Sequence, residues 1–370
     1  MVTGNSKVSK ANGTLSLLLL LALLLFSLVP TEAQIGVTYG QSGDNLPSPQ
    51  QVVNLYRSNG IRWMRIYYPD PATLQAIRNS GVTLLLDVPN DQIQNFAQNP
   101  SAAVQWVKQN VVPYAECISF LAVGNEVTQN IKQYVGPAMT NTLNALNSFG
   151  SLTSHIKVTT AIGMSELTNT YPPSNGQFAD LPFMDPIVNF LKQNGSPLML
   201  NVYPYFTYID NKGTVSLDYA LFTSPGTVVT DPNNGLHYQN IYDALVDSVY
   251  AALAKRDAPN NQGGPPNNSG RGPHTQVITS ETGWPSAGGD HGLVRNAGGD
   301  SAASVSNAGT YYRNMISHAK VGTPLNPGPS LVFLFSAFDE NKKLGDATEQ
   351  HFGIFNTNGT PKYPGLNFNS

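Results

Sequence analysis

Eight short apolar runs, rich in β-branched and aromatic residues, recur along the 370-residue chain and constrain its fold more than any other feature. They fall at 35–39, 63–68, 83–88, 119–123, 158–162, 198–203, 276–280 and 331–338. Several are near-continuous rather than alternating, the pattern of parallel strands covered on both faces. Helix punctuation separates them. Pro49 opens a segment that stops at Gly60, and Pro71 opens one that stops at Gly81. Residues 238–255 set Ile241, Ala244, Leu245, Val249 and Leu253 on one helical stripe. Eight strand–helix alternations in about 330 residues predict an α/β fold, a single-domain (β/α)8 barrel. A doubly wound sheet would want a glycine-rich turn after the first strand, and none follows there.

Charge and cysteine content close off several classes of chemistry. The net charge is −3, from 20 Lys plus Arg against 23 Asp plus Glu, and no run of basic residues occurs. Binding to nucleic acid through phosphate contacts is therefore not expected. The single cysteine, Cys117, leaves no intramolecular disulfide. The sequence holds no Cys/His cluster with zinc spacing, no HExxH, no Walker loop, no GxGxxG and no GxSxG, so neither a metal nor a cofactor is expected.

The first 33 residues read as a secretory signal peptide. Lys7 and Lys10 precede an apolar run at 15–29, and Thr31 and Ala33 suit the −3 and −1 positions of signal peptidase. The run is shorter than the about 20 residues of a membrane span, so no membrane anchor is expected and the mature domain is 34–370. Two N-x-S/T sequons, at Asn267 and Asn358, would then be open to glycosylation. The low-complexity stretch 259–273 is expected as a surface insertion on the amino-terminal face of the barrel, away from the catalytic face.

Glutamate is scarce, which narrows the chemistry. Of seven Glu in the chain, Glu126, Glu281 and Glu340 fall at or just past the carboxyl end of an expected strand. A barrel brings such positions together around one mouth. Carboxyl groups sharing a cleft can divide into a protonated acid and a nucleophile, as glycosidic cleavage requires. Tyr39, Tyr67, Tyr203, Tyr205, Phe206, Trp284 and Phe338 lie at or beyond strand ends, where flat rings can stack on sugar faces. Packing is the expected role for Tyr67, and a pocket wall for Trp284. Asn125, Asn201 and the tyrosine hydroxyls are expected to reach sugar hydroxyls.

These residues carry a resemblance to the plant β-1,3-glucanases of glycoside hydrolase family 17, over essentially all of residues 35–368. Its segments are IGVTYG at the start, VGNEV around Glu126, NVYPYF at 201–206, ITSETGWPSAGG around Glu281 and FDENKK at 338–343. The resemblance implies a retaining endo-hydrolase of β-1,3-glucan on a (β/α)8 barrel, with Glu126 as general acid/base and Glu281 as nucleophile. Glu340 and Lys343 would line the cleft, Lys343 holding Glu281 or Glu340 ionised. The implied protein is secreted to the cell wall or apoplast, needs no cofactor and acts as a monomer. A mixed-linkage β-1,3;1,4-glucanase, or a non-catalytic glucan-binding wall protein on the same barrel, stays open at this stage. Thr38 stands where the family commonly has Cys, a change expected to touch packing only. The loop at 290–300 is long and expected on the active face.

Overall fold

Backbone pairing closes eight parallel strands into a barrel. The structure, a computed structural model, describes residues 33–257, 275–289 and 302–368. Its strands are β1 (Gln34–Thr38), β2 (Trp63–Ile66), β3 (Thr83–Val88), β4 (Ile118–Asn125), β5 (Lys157–Gly163), β6 (Leu198–Asn201), β7 (Val277–Thr282) and β8 (Leu331–Leu334). Each pairs in parallel with its neighbours in sequence, and β1 pairs with β8 to close the ring.

Helices fill the connections: α1 (Pro49–Ser58), α2 (Pro71–Ile77), α3 (Ile93–Gln98), α4 (Pro100–Asn110), α5 (Lys132–Asn147), α6 (Leu181–Asn194), α7 (Pro204–Asp210), α8 (Leu217–Ala220), α9 (Ile241–Asp257) and α10 (Val305–His318). Their starts follow from local chemistry. Ser48 and Gln51 form a capping box ahead of Pro49, and the Asp70 carboxylate accepts the Thr73 N–H at 2.7 Å ahead of Pro71. Helix α9 begins three residues later than the stripe suggested. Tyr238 belongs to a short hairpin, and the Asn240 side chain caps the new start by accepting the Asp243 N–H at 2.8 Å.

Strand alternation sets what fills the barrel. Leu85, Phe120, Met199, Ile278 and Phe333 point inward as an apolar plug, with Trp63 stacked on Phe120 at 5.7 Å. Each such buried side chain is worth about 1.5–3 kcal/mol. Two residues further along a strand the side chain points inward again, nearer the carboxyl end. There the inward residues turn polar: Arg65 follows Trp63, Asp87 follows Leu85, Asn201 follows Met199 and Ser280 follows Ile278, and all four are buried. The plug below and this polar layer above define the floor of the mouth.

Strands β2, β6 and β8 end before residues 68, 203 and 338; past the first two ends, Tyr67 and Tyr203 reach Glu281 with their hydroxyls. Residues 1–32 of the expected signal peptide, the stretch 259–273 with Asn267, and the loop 290–300 lie outside the described residues.

Candidate active site

At the carboxyl end of the barrel a cleft of about 720 Å³ crosses the mouth, and Glu126, Glu281 and Glu340 all line it. Two of the three stand on irregular backbone. The β4–β5 register shifts between Ala122 and Asn125, and the β7–β6 register shifts between Thr279 and Glu281. Such slips turn a strand end and re-aim its side chain. Glu126 itself has φ 45°, a left-handed conformation uncommon outside glycine.

The two carboxyls meet different neighbours. Glu281 accepts from Tyr203 Oη at 2.6 Å on one oxygen, and from Tyr67 Oη at 2.8 Å and Arg65 Nη1 at 3.0 Å on the other. Glu126 accepts one bond, from Asn201 Nδ2 at 2.7 Å. Burial, and then the negative charge of Glu281, push the Glu126 carboxyl above the usual range. Gly163 stands behind it, where a Cβ would come within 3.1 Å of the carboxyl carbon.

Arg65 organises the floor. Fully buried, it bonds Asp87 through Nε at 3.2 Å and Nη2 at 2.7 Å, Asn125 Oδ1 at 2.9 Å and Asn201 Oδ1 at 3.1 Å, besides Glu281. Burial pushes the Asp87 carboxyl up to about 6, with Arg65 pulling it back and Glu281 adding to the rise. Asn201 bridges both sides, donating to Asn125 Oδ1 at 2.9 Å and to Glu126. Its amide is fully engaged in holding Glu126, which makes it a positioning group rather than the free sugar contact expected from sequence. Asn125, which lines the cleft, accepts from Arg65 and Asn201 through its Oδ1. The Tyr203 hydroxyl is likewise engaged on Glu281, while its ring lines the cleft with the half-buried Phe206, 5.6 Å away.

Two expected wall residues are not in the wall. Tyr39 is 3% exposed and packs edge-on to Phe338 at 6.4 Å; the cleft is lined instead by Gly40, Gln41 and Ser42 just after it. Trp284 is fully buried behind β7. Its Nε1–H donates to the Ala302 carbonyl at 2.7 Å, and its ring packs on Tyr205 and on Tyr311 of α10. The chain leaves the mouth right after Thr282, so proximity to Glu281 in sequence does not carry into space. Tyr205 and Phe338 are core residues as well. Tyr67 corrects in the opposite direction, since its hydroxyl holds Glu281 rather than merely packing.

The β8 loop builds the remaining side. Glu340, 4% exposed, accepts the Ser42 N–H at 3.0 Å, and Gly40 lies so close that a Cβ would come within 2.3 Å of a Glu340 oxygen. Burial raises its carboxyl, opposed by the Ser42 bond and by the charge of Lys343. Lys343 pairs directly with neither expected carboxylate: its Nζ meets Glu349 at 2.8 Å and sits 4.2 Å over the Phe335 ring. Glu349 and Phe352 also line the cleft, and sequence reasoning missed both, as it missed Arg65 and Asp87. Among the described residues no group of three or more His, Cys, Asp or Glu side chains could hold a metal ion, and no helix is long and apolar enough to cross a membrane.

A barrel mouth that holds one carboxyl raised by burial beside a second carboxyl fixed by three donors is the arrangement of a glycoside-cleaving enzyme. The chain belongs to the glycosyl hydrolases family 17, whose model matches residues 35–368. It is 46% identical over 355 residues to a glucan endo-1,3-beta-glucosidase of Vitis vinifera, covering 93% of this chain and 95% of that one. It is 47% identical over 341 residues to the glucan endo-1,3-beta-glucosidase GII of Hordeum vulgare, covering 91% and 93%. Among solved structures it resembles plant beta-glucan endohydrolases described as having distinct substrate specificities, at TM-score 0.79 and 37% identity over 90% of this chain and 99% of the other. CJP38, a beta-1,3-glucanase and pollen allergen of Cryptomeria japonica, matches at TM-score 0.78 and 38% identity, covering 90% and 98%.

Proposed function

We propose that the chain hydrolyses internal (1→3)-β-D-glucosidic linkages of β-1,3-glucan with retention of the anomeric configuration. The observation that carries the reading is the unequal pair Glu126 and Glu281 in one cleft, within a family whose similar members bear that activity in their names. Glu281 attacks the anomeric carbon while Glu126 protonates the leaving oxygen; water then enters with Glu126 as base. Retention requires the two carboxyls to be about 5–5.5 Å apart. Asn125 Nδ2 donates to the sugar beside the reacting carbon, and the Phe206 ring stacks on a neighbouring sugar face. Glu340 and Lys343 border the cleft on the β8 side, and Tyr203 and Asn201 hold the reacting carboxyls rather than the sugar.

Residues 1–33 act as a signal peptide, and the mature chain begins at Gln34 and works outside the cell as a monomer. The cleavage point is supported by β1, which opens at Gln34. Exposed Asn358 becomes glycosylated on that route. N-terminal sequencing of the secreted product tests the cleavage point, and a start other than Gln34 would move it.

Product sizes and proton NMR of the first anomer released from linear β-1,3-glucan test the activity, with Glu281→Ala as control. β-anomeric oligosaccharides absent from the variant are expected. A first-formed α-anomer would remove Glu281 as nucleophile, and preferential cleavage of mixed-linkage glucan would change the substrate.

A further inference from the structure

The β3–β4 ladder stops at Val88 and Val123, because Pro89 follows and offers no N–H for another rung. The catalytic turn of β4 begins at that point, with Gly124 at φ 90° and Glu126 at φ 45°. Asn125, between them, faces a neighbouring strand that has ended. Its backbone is nevertheless paired on that side. Asn90 Nδ2 donates to the Asn125 carbonyl at 2.8 Å, and the Asn125 N–H donates to Asn90 Oδ1 at 2.9 Å. A carboxamide side chain thus stands in for the missing peptide rung.

We propose that Asn90 is a positioning residue that holds Glu126 in its proton-donating orientation. The next backbone group, the Glu126 N–H, bonds the Ala161 carbonyl of β5 at 3.0 Å. The turn is therefore held from both flanking strands, and the β3 hold is a side chain. The Asn125 side chain is anchored inward by Arg65 and Asn201, and the Asn90 clamp holds its backbone on the β3 side, opposite the β5 bond. Asn90 is exposed and lies outside the main cleft, bordering a separate cavity of about 220 Å³ with Asp87, Tyr67 and Asn125. It acts through Glu126 and not by contact with the reacting atoms. A left-handed non-glycine residue persists only where its surroundings over-determine it, which is what the paired amide supplies.

The inference rests on Glu126 being the general acid, and the experiment separates the two. The full chain and the variants Asn90→Ala, Asn90→Asp and Glu126→Ala are compared by kcat/KM on linear β-1,3-glucan and on a dinitrophenyl β-laminaribioside, whose leaving group departs without a proton. Asn90→Ala should lose about 10- to 100-fold on glucan, mostly in kcat, and stay within about 3-fold on the aryl substrate. Asn90→Asp keeps one acceptor and turns the donor into an anion facing the Asn125 carbonyl, so it should lose as much as Asn90→Ala. It also serves as the test if the alanine variant does not fold. The alkaline limb of the glucan profile should move in both variants. If Glu126→Ala shows the leaving-group split while the Asn90 variants lose nothing, or lose equally on both substrates, the positioning role is overturned. If Glu126→Ala itself loses equally on both, the acid assignment falls instead and takes this inference with it.

Discussion

Arg65→Met tests whether one buried guanidinium holds the floor of the site together. Methionine fills much of the same space and removes the charge. The side chain it replaces has no exposure, and its partner Asp87 has 2%. Breaking a buried pair by deleting one member leaves the other charge uncompensated, at a cost of about 3–5 kcal/mol. The cost should depend on pH. Asp87 already titrates at about 6 against the pull of Arg65, so without that pull it titrates higher and escapes the penalty by taking a proton. A folded pKa raised above the unfolded value gives stability at low pH that is lost as pH rises through the folded pKa. The variant's deficit should therefore be greatest near about pH 8 and shrink toward about pH 5, each further unit of rise in Asp87 being worth about 1.4 kcal/mol. Urea denaturation followed by tryptophan fluorescence at the two pH values reads it. The double variant Arg65→Met/Asp87→Asn should recover about 2 kcal/mol or more at the higher pH. A deficit below about 1 kcal/mol, or one equal at both pH values, would refute the reasoning.

Three shorter predictions follow from the same contacts. Glu281→Gln removes a charge that raises Glu126, so the Glu126 carboxyl should titrate at lower pH in carbon-13 NMR, and an unchanged midpoint counts against the coupling. Thr38 Oγ1 is buried with no partner among the described residues, so Thr38→Val should raise stability by about 1 kcal/mol; a loss would mean that the hydroxyl has a partner. Asp247, buried on α9 and bonded by the Leu325 N–H at 2.9 Å, is pushed up to about 7 by burial. Stability it contributes below about pH 4 is lost as pH rises toward 7, so Asp247→Asn should flatten the decline in melting temperature over that window. A variant with the same slope as the parent rules this out.

The barrel was legible because its strands are read from periodicity alone: near-continuous apolar runs at regular spacing leave few other folds. Glu126, Glu281 and Glu340 were legible because glutamate is rare in this chain and these three fall at or past strand ends. Arg65 and Asp87 left a signal that went unused, a charged residue inside an otherwise apolar strand run, where burial demands a partner of opposite sign. Tyr39 and Trp284 failed for a different reason. Alternation tells which face a side chain takes only while the chain stays in the ladder. Thr282 ends its strand, and Trp284 takes a direction set by loop packing, whereas Tyr39 keeps a ladder bond, its N–H to the Arg65 carbonyl at 2.8 Å, and packs on Phe338 away from the cleft lining.

The division of labour between the two glutamates is likewise a property of neighbours, since both are the same residue at a strand end. Glu281 receives donors carried by three residues of β2, its extension and the segment after β6: Arg65, Tyr67 and Tyr203. Glu126 receives a single neutral amide and faces the charge of Glu281. Donors gathered on one carboxyl fix its orientation, and their scarcity around the other leaves burial free to raise it. The amide that does reach Glu126 comes from Asn201, which is also tied to Arg65, so both carboxyls hang from one guanidinium. A change at Arg65 should therefore disturb both carboxyls together, whereas a change at Asn90 meets Glu126 first, through the backbone of Asn125.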